Sequence, residues 1–292
     1  VHVLLFFVDG LGLGKNDPIF NPILNPDFRS LKSLLEDKLC IPTDAQLEVD
    51  GLPQSATGQT AILTGINAPK AVGRHINGFP TKTLKKMLNE HSILRRLKDK
   101  GLKVTNANMY TKEYLARICV DDSKLNVSAT TLATFAAQIP FRLVNDMLEE
   151  NAVYQDITNE LLVKRGFDVP IRSPFKAGEI LAKLTQENHF VLFEYFQTDL
   201  AGHSQDKNWC TGVLCDLNDM LEGLMRNMDF ENSLLVFTSD HGNIEDLSVS
   251  THTFNKVPTV LRGRNDEKMA MKIRSITDIA PGIEELFFGK TE

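Results

Sequence analysis

The chain has few cysteines, no long apolar run and no surplus of basic residues, and each shortage closes off a class of function. Cys40, Cys119, Cys210 and Cys215 are scattered without a Cys-x-x-Cys, so reduced thiols in a cytoplasmic setting are expected rather than a disulfide framework. Cys210 and Cys215 alone form a candidate metal pair, but residues 209–221 read as a helix suited to core packing. Apolar runs are strand-sized, short of the ~20 residues a membrane span requires, and residues 1–8 show neither the basic region nor the cleavage site of a signal peptide. Lys and Arg total 32 against 38 Asp and Glu, a net charge of -6, so no general positive field exists for nucleic acid or an anionic membrane. What is present, 292 residues at 42% hydrophobic content with no low-complexity tract, suffices for one large core and a smaller second lobe.

Chemistry concentrates where predicted strands end. Leu234 to Phe237 is a β-branched and aromatic run that reads as a buried strand and stops at Thr238, Ser239, Asp240, His241 and Gly242. Ligands of open α/β sheets sit at the carboxyl ends of strands, so Asp240 and His241, with His252 eleven positions on, are candidate metal ligands; alone, Asp240 also suits a turn and His241 a surface. His2 to Val8 is a second apolar run, typical of a central parallel strand, and delivers Asp9 to its end as either a carboxylate ligand or a turn residue. His189 to Phe196 is a third, leading to Asp199 and His203, which share one face if the chain turns helically there. Glu194 and His189 read as polar residues that the sheet can satisfy.

Between residues 51 and 65, small hydroxylated residues and Gly58 lead into a helix whose free N–H groups favour an anion. Ser55 there is either a helix cap or a nucleophile, since a metal ion can activate its hydroxyl without a Ser-His-Asp triad. Arg74 and His75, flanked by glycines, read as holders of a substrate phosphate or as solvated loop residues. Helical spacing over 92–100, with residues 101–107 as the end of that helix and a following strand, is the αβ step of a parallel sheet. Residues 121–174 then lose the strand pattern: three helical segments separated by Pro140 and an Asn-rich turn suggest a small inserted cap carrying Arg142, Arg165 and Arg172. The expected organisation is a discontinuous α/β core, residues 1–120 and 175–292, with the cap at 121–174.

Asp9, Ser55, Asp199, His203, Asp240, His241 and His252 together form a donor set suited to two ions of the Mn²⁺ or Zn²⁺ kind, and the lack of a nearby thiol argues against a closed structural zinc site. Taken in order, Asp9-Gly10, Ser55-Ala-Thr-Gly58, Asp199-Leu-Ala-Gly-His203, Thr238-Ser-Asp-His-Gly-Asn243, and His252-Thr with Val257-Pro258 resemble the alkaline phosphatase superfamily. Within it, the chain most closely resembles the metalloenzyme branch of cofactor-independent phosphoglycerate mutase and phosphopentomutase, over residues 1–75 and 188–262. The resemblance implies a three-layer α/β/α sandwich with a mostly parallel sheet. It further implies that Asp199, His203 and His252 bind one metal and Asp9, Asp240 and His241 the other, with Ser55 becoming phosphoserine and Thr57 the fallback nucleophile.

Two departures stand out. Gln59 occupies the place of a histidine in both mutases, and the segment between the two halves is far shorter than their caps, which hold an intermediate while it turns over. Ser55 is also not followed by the Pro and Arg of the sulfatase motif. The expected function is therefore hydrolysis of the phosphate monoester of a small metabolite, at a site that includes Arg74, His75 and Arg142. A phosphomutase, a phosphodiesterase and a non-catalytic metal-binding scaffold are the alternatives.

Overall fold

The computed structural model describes residues 1–118 and 126–289; Cys119 and the opening residues of the expected cap, 121–125, lie outside the described residues. Among the described residues there are six strands: β1 (His2–Val8), β2 (Cys40–Thr43), β3 (Val104–Asn106), β4 (Phe190–Tyr195), β5 (Ser233–Ser239) and β6 (Val257–Gly263). They form one sheet in the order β2-β6-β5-β1-β4-β3. The β3–β4, β4–β1 and β1–β5 pairings are parallel, and β5–β6 and β6–β2 are antiparallel. The centre of the sheet is parallel, as the continuous apolar runs predict. β6 lies inside the sheet, and the edge beyond it is β2, where Pro42 is tolerated because an edge strand can forgo one N–H.

Around the sheet the chain forms α1 (Arg29–Leu35), α2 (Ser55–Thr64), α3 (Ala68–Val72), α4 (Lys82–His91), α5 (Ile93–Asp99), α6 (Lys112–Ile118) and α7 (Ala129–Ala136). It continues through α8 (Val144–Leu148), α9 (Glu160–Lys164), α10 (Pro174–Glu187), α11 (Gln197–Ser204), α12 (Lys207–Asn227), α13 (Asp266–Ala270) and α14 (Ile279–Phe288). Side-chain alternation along the strands divides the apolar core into two layers. Val3, Leu5 and Phe7 of β1 face α2, α4, α5, α7 and α14, while Leu4, Phe6 and Val8 face α1, α10 and α12. Phe6 packs edge-on against Phe193 at 5.2 Å and Phe237 at 5.5 Å, so truncation to alanine would cost about 3–5 kcal/mol. The result is an α/β/α sandwich.

The expected cap divides into two parts. α7 packs into the first core layer through Ala129, Leu132 and Ala133. Met147, Ala152, Tyr154 and Leu162 form a small cluster of their own with Met109, pinned to the sheet by bridges from Asn108 to Val153 and from Met109 to Arg142. Among the described residues, no helix is long and apolar enough to cross a membrane.

Candidate metal centre

All seven residues singled out as donors meet at the carboxyl end of the parallel strands. Asp9 directly follows β1, and Asp240 and His241 directly follow β5. Asp199 and His203 fall one turn apart on α11, with His203 Nε2 3.4 Å from Asp199 Oδ2. His252 reaches the same end because β6 runs antiparallel to β5, so the residues entering it lie beside those leaving β5. Ser55 opens α2, and Gly58 lets that helix lie against Asp240: a Cβ on Gly58 would stand 2.9 Å from both the Cβ and the carbonyl oxygen of Asp240.

His241 joins the set. Its Nε2 is 3.0 Å from Ser55 Oγ, 3.1 Å from Asp9 Oδ1 and 3.5 Å from Asp240 Oδ2, and its ring stacks on His252 at 3.6 Å. Two triads thereby form, Asp9–Asp240–His241 and Asp199–His241–His252, each with its ligand atoms within 4.8 Å of one another. His203 adjoins the second, its Nε2 3.2 Å from His252 Nε2.

The protonation pattern calls for a cation. His252 Nδ1 donates to the Pro53 carbonyl at 2.8 Å and His203 Nδ1 to the Ser250 carbonyl at 2.9 Å, which turns both Nε2 lone pairs toward Asp199 and each other. Burial, followed by the neighbouring His241, lowers the His252 pKa to about 4, so its ring is neutral near pH 7. Asp9 Oδ1 and Asp240 Oδ2 are buried with no hydrogen-bond partner. Burial pushes both carboxyl groups up, Asp240 well above the usual range. His241 shows the opposite balance: burial acts to lower its pKa, but Asp240 and Asp9 outweigh it and raise it to about 10. In the bare chain a proton on His241 thus does part of what a metal ion would do. Oxygen and imidazole donors without a thiol fit divalent cations of this kind.

Several supporting residues carry no motif of their own. Gln59 Nε2 donates to Asp9 Oδ2 at 3.0 Å, leaving Oδ1 to face inward, and Asn243 Nδ2 donates to Asp199 Oδ1 at 2.6 Å. Only their positions beside Ser55 and His241 in sequence hint at these roles. The Thr57 hydroxyl is buried, donating to the Gln54 carbonyl at 3.1 Å and accepting the Ile76 N–H at 3.2 Å. That bond brings the Arg74–Ile76 segment beside the start of α2, where Arg74 is exposed and His75 faces the Val49 carbonyl at 3.2 Å. Arg142 is elsewhere: its Nε donates to Thr105 Oγ1 at 3.0 Å and its Nη1 to the Asn151 carbonyl at 2.5 Å. Cys210 is buried under α11, its thiol donating to the Ala201 carbonyl at 3.2 Å, and Cys215 is exposed. Glu194, at the end of β4, accepts the Thr130 hydroxyl, and burial raises its carboxyl to about 7.

Comparison with known proteins gives the fold and the family. Over 108 residues the chain is 27% identical to the 2,3-bisphosphoglycerate-independent phosphoglycerate mutase of Ehrlichia canis (strain Jake), a match covering 35% of this chain and 21% of that enzyme. The chain thus spans about a fifth of the length of that relative. The fold is that of the PH0037 protein from Pyrococcus horikoshii, with a TM-score of 0.55 and 13% identity over 100% of this chain and 98% of that one. It is equally that of the alkaline phosphatase from the Antarctic bacterium TAB5, with a TM-score of 0.52 and 14% identity over 99% and 98% of the two chains. The model of the metalloenzyme superfamily matches residues 1–288, nearly the whole length, and to that superfamily the chain belongs.

Proposed function

We propose that the chain is a two-metal phosphohydrolase that cleaves the phosphate monoester of a small metabolite through a phosphoserine at Ser55. The observation that carries this reading is the place of Ser55: the first residue of α2, with its hydroxyl 3.0 Å from the histidine that both triads share. Asp199, His203 and His252 would hold one divalent cation, and Asp9, Asp240 and His241 the other, manganese or zinc by their donor types. Bound there, the two cations would supply positive charge that neutralises a transferring phosphoryl group and favours ionisation of a hydroxyl beside them.

The chain's own residues account for the rest. Ser55 Oγ bonds to phosphorus in line with the departing ester oxygen, and water then displaces the serine oxygen to release inorganic phosphate. The free N–H groups and dipole at the start of α2 favour the phosphate charge in both steps. Thr57 is less suited as nucleophile because its proton and one of its two lone pairs are already engaged. Arg74 and His75, beside the start of α2, are the groups available to hold the far side of the substrate. Cap arginines are assigned no part, since Arg142 is engaged by Thr105 of β3 and the Asn151 carbonyl, Arg165 by the Tyr154 hydroxyl and Arg172 by the Met147 and Ala152 carbonyls. A cytoplasmic setting belongs to the same reading, in keeping with cysteines scattered without a Cys-x-x-Cys.

A phosphomutase is the second reading, favoured by the mutase relative and disfavoured by the small lobe at 141–172. The deciding assay is phosphate release from p-nitrophenyl phosphate and a panel of sugar phosphates by Mn²⁺- or Zn²⁺-loaded protein, with Ser55→Ala and a diester substrate beside it. Release that falls by about a thousandfold or more in the variant is expected. Scrambling of phosphate within a sugar without release would establish the mutase, preference for the diester a phosphodiesterase, and bound metal with no turnover a scaffold.

A further inference from the structure

Glu245 is a buried carboxylate, 1% exposed, that none of the roles above uses. Its Oε2 accepts the backbone N–H groups of Gly12 at 2.9 Å and Asn243 at 2.7 Å. Its Oε1 accepts the Thr253 hydroxyl and, at 3.0 Å, Asn255 Nδ2. All four donors are neutral, and they come from three separate segments: the turn after β1, the turn after β5 and the approach to β6. Those are the segments that carry Asp9, Asp240–His241 and His252. Backbone is cut back to make room: a Cβ on Gly12 would stand 2.3 Å from Glu245 Oε1, and one on Gly242 2.2 Å from it. A charge this buried is stable only when fully hydrogen-bonded, so the four donors and the carboxylate fix one another.

We propose that Glu245 is a positioning residue, a clamp that holds the three ligand-bearing segments in the register two cations need. The proposal rests on the two-metal reading. The clamp matters unequally to the two ligand sets. Asp9 and Asp240 directly follow paired strands, whereas His252 is carried on a segment whose neighbours Thr253 and Asn255 depend on Glu245. Loss of the carboxylate therefore frees His252 first.

The test is calorimetric titration of Mn²⁺ into the metal-free full chain, comparing wild type with Glu245→Ala, Glu245→Gln, His252→Ala and Asp240→Asn. Wild type is expected to bind two equivalents. Glu245→Ala should keep one and bind the second about 10- to 100-fold more weakly, giving an isotherm like that of His252→Ala rather than Asp240→Asn. Glu245→Gln keeps one acceptor oxygen for the two backbone donors and can present its amide to the Thr253 hydroxyl, so it should recover most of the second site. Should Glu245→Ala fail to fold, Thr253→Val combined with Asn255→Ala removes the same anchors and should show the same selective loss. Two equivalents bound at wild-type affinity by the alanine variant, or by that double variant, overturn the clamp and leave Glu245 merely structural, whatever happens to the melting temperature. Wild type that binds no cation overturns the two-metal reading and the clamp with it.

Discussion

The carboxyl end of the sheet holds buried carboxylates and the small lobe at 141–172 holds half-buried and exposed arginines, and the two treat charge in opposite ways. In the lobe every arginine reaches an acceptor: Arg142 the Asn151 carbonyl and Thr105, Arg165 the Tyr154 hydroxyl, Arg172 the carbonyls of Met147 and Ala152. At the sheet, Asp9 Oδ1 and Asp240 Oδ2 have only the single Nε2 of His241 to share, 3.1 and 3.5 Å away, and His203 and His252 turn lone pairs toward one another 3.2 Å apart. A satisfied polar network adds to stability on its own, whereas an unsatisfied one is costly unless something binds it. The lobe leaves one buried side-chain atom, Asn159 Oδ1, without a partner, whereas at the sheet end several such atoms, Asp9 Oδ1, Asp240 Oδ2 and Asn243 Oδ1, lie together, as a candidate binding site would have them.

Variants can break or sharpen this contrast. His241→Ala, which removes the histidine common to both triads, is expected to lower phosphate release by about a thousandfold or more while circular dichroism stays unchanged. A folded variant that retains activity would show that the convergence on His241 is not needed. Asp240→Asn should reverse in sign with metal: in chelator it should melt no lower than wild type, because the buried unpaired carboxylate is gone. With saturating Mn²⁺ it should lack the stabilisation of about 2–4 kcal/mol that wild type gains from the bound ion. Thermal melts with and without EDTA would reveal the crossing, and parallel shifts would contradict it. Arg172→Ala should cost about 1–3 kcal/mol in both conditions by leaving the Ala152 carbonyl unpaired and the Met147 carbonyl with one donor fewer, without changing metal affinity; Arg142→Ala should likewise leave KM unchanged.

A pH dependence follows for Glu194. Its carboxyl is raised by burial from 4.5 to about 7, so the folded chain holds that proton more tightly than the unfolded chain. Metal-free protein should therefore lose stability as pH climbs from about 4.5 through 7. Glu194→Gln should reduce the difference in melting temperature between pH 5 and pH 8, and an unchanged difference would remove Glu194 as its source.

Much of the site was legible because its residues terminate strands. Asp9, Asp199 and Asp240–His241 each follow an apolar run dense enough to be read as a buried parallel strand, and the Asp199–His203 spacing needed only one helical turn. Ser55 stood out through small residues and Gly58 ahead of a helix. Gln59 and Asn243 were legible only as members of motifs, not by their contacts with Asp9 and Asp199, and Glu245 was not legible as part of the site. Their partners lie 50, 44 and, for the Gly12 bond, 233 residues away in sequence, and no local periodicity reports such contacts. The arginines of the lobe misled for the same reason, since a charge reads identically whether it faces a substrate or a carbonyl.

By itself, then, the amino-acid sequence determined the sheet's parallel core, the inventory of donors and their delivery to one end, because those follow from side-chain pattern and strand direction. Only the tertiary structure decided that His252 joins the set through an antiparallel β6, that β2 forms the edge, that α7 belongs to the core, and which polar atoms remain without partners. Those outcomes depend on long-range pairing and on the satisfaction of each buried group, which are properties of the packed chain and not of any segment in it.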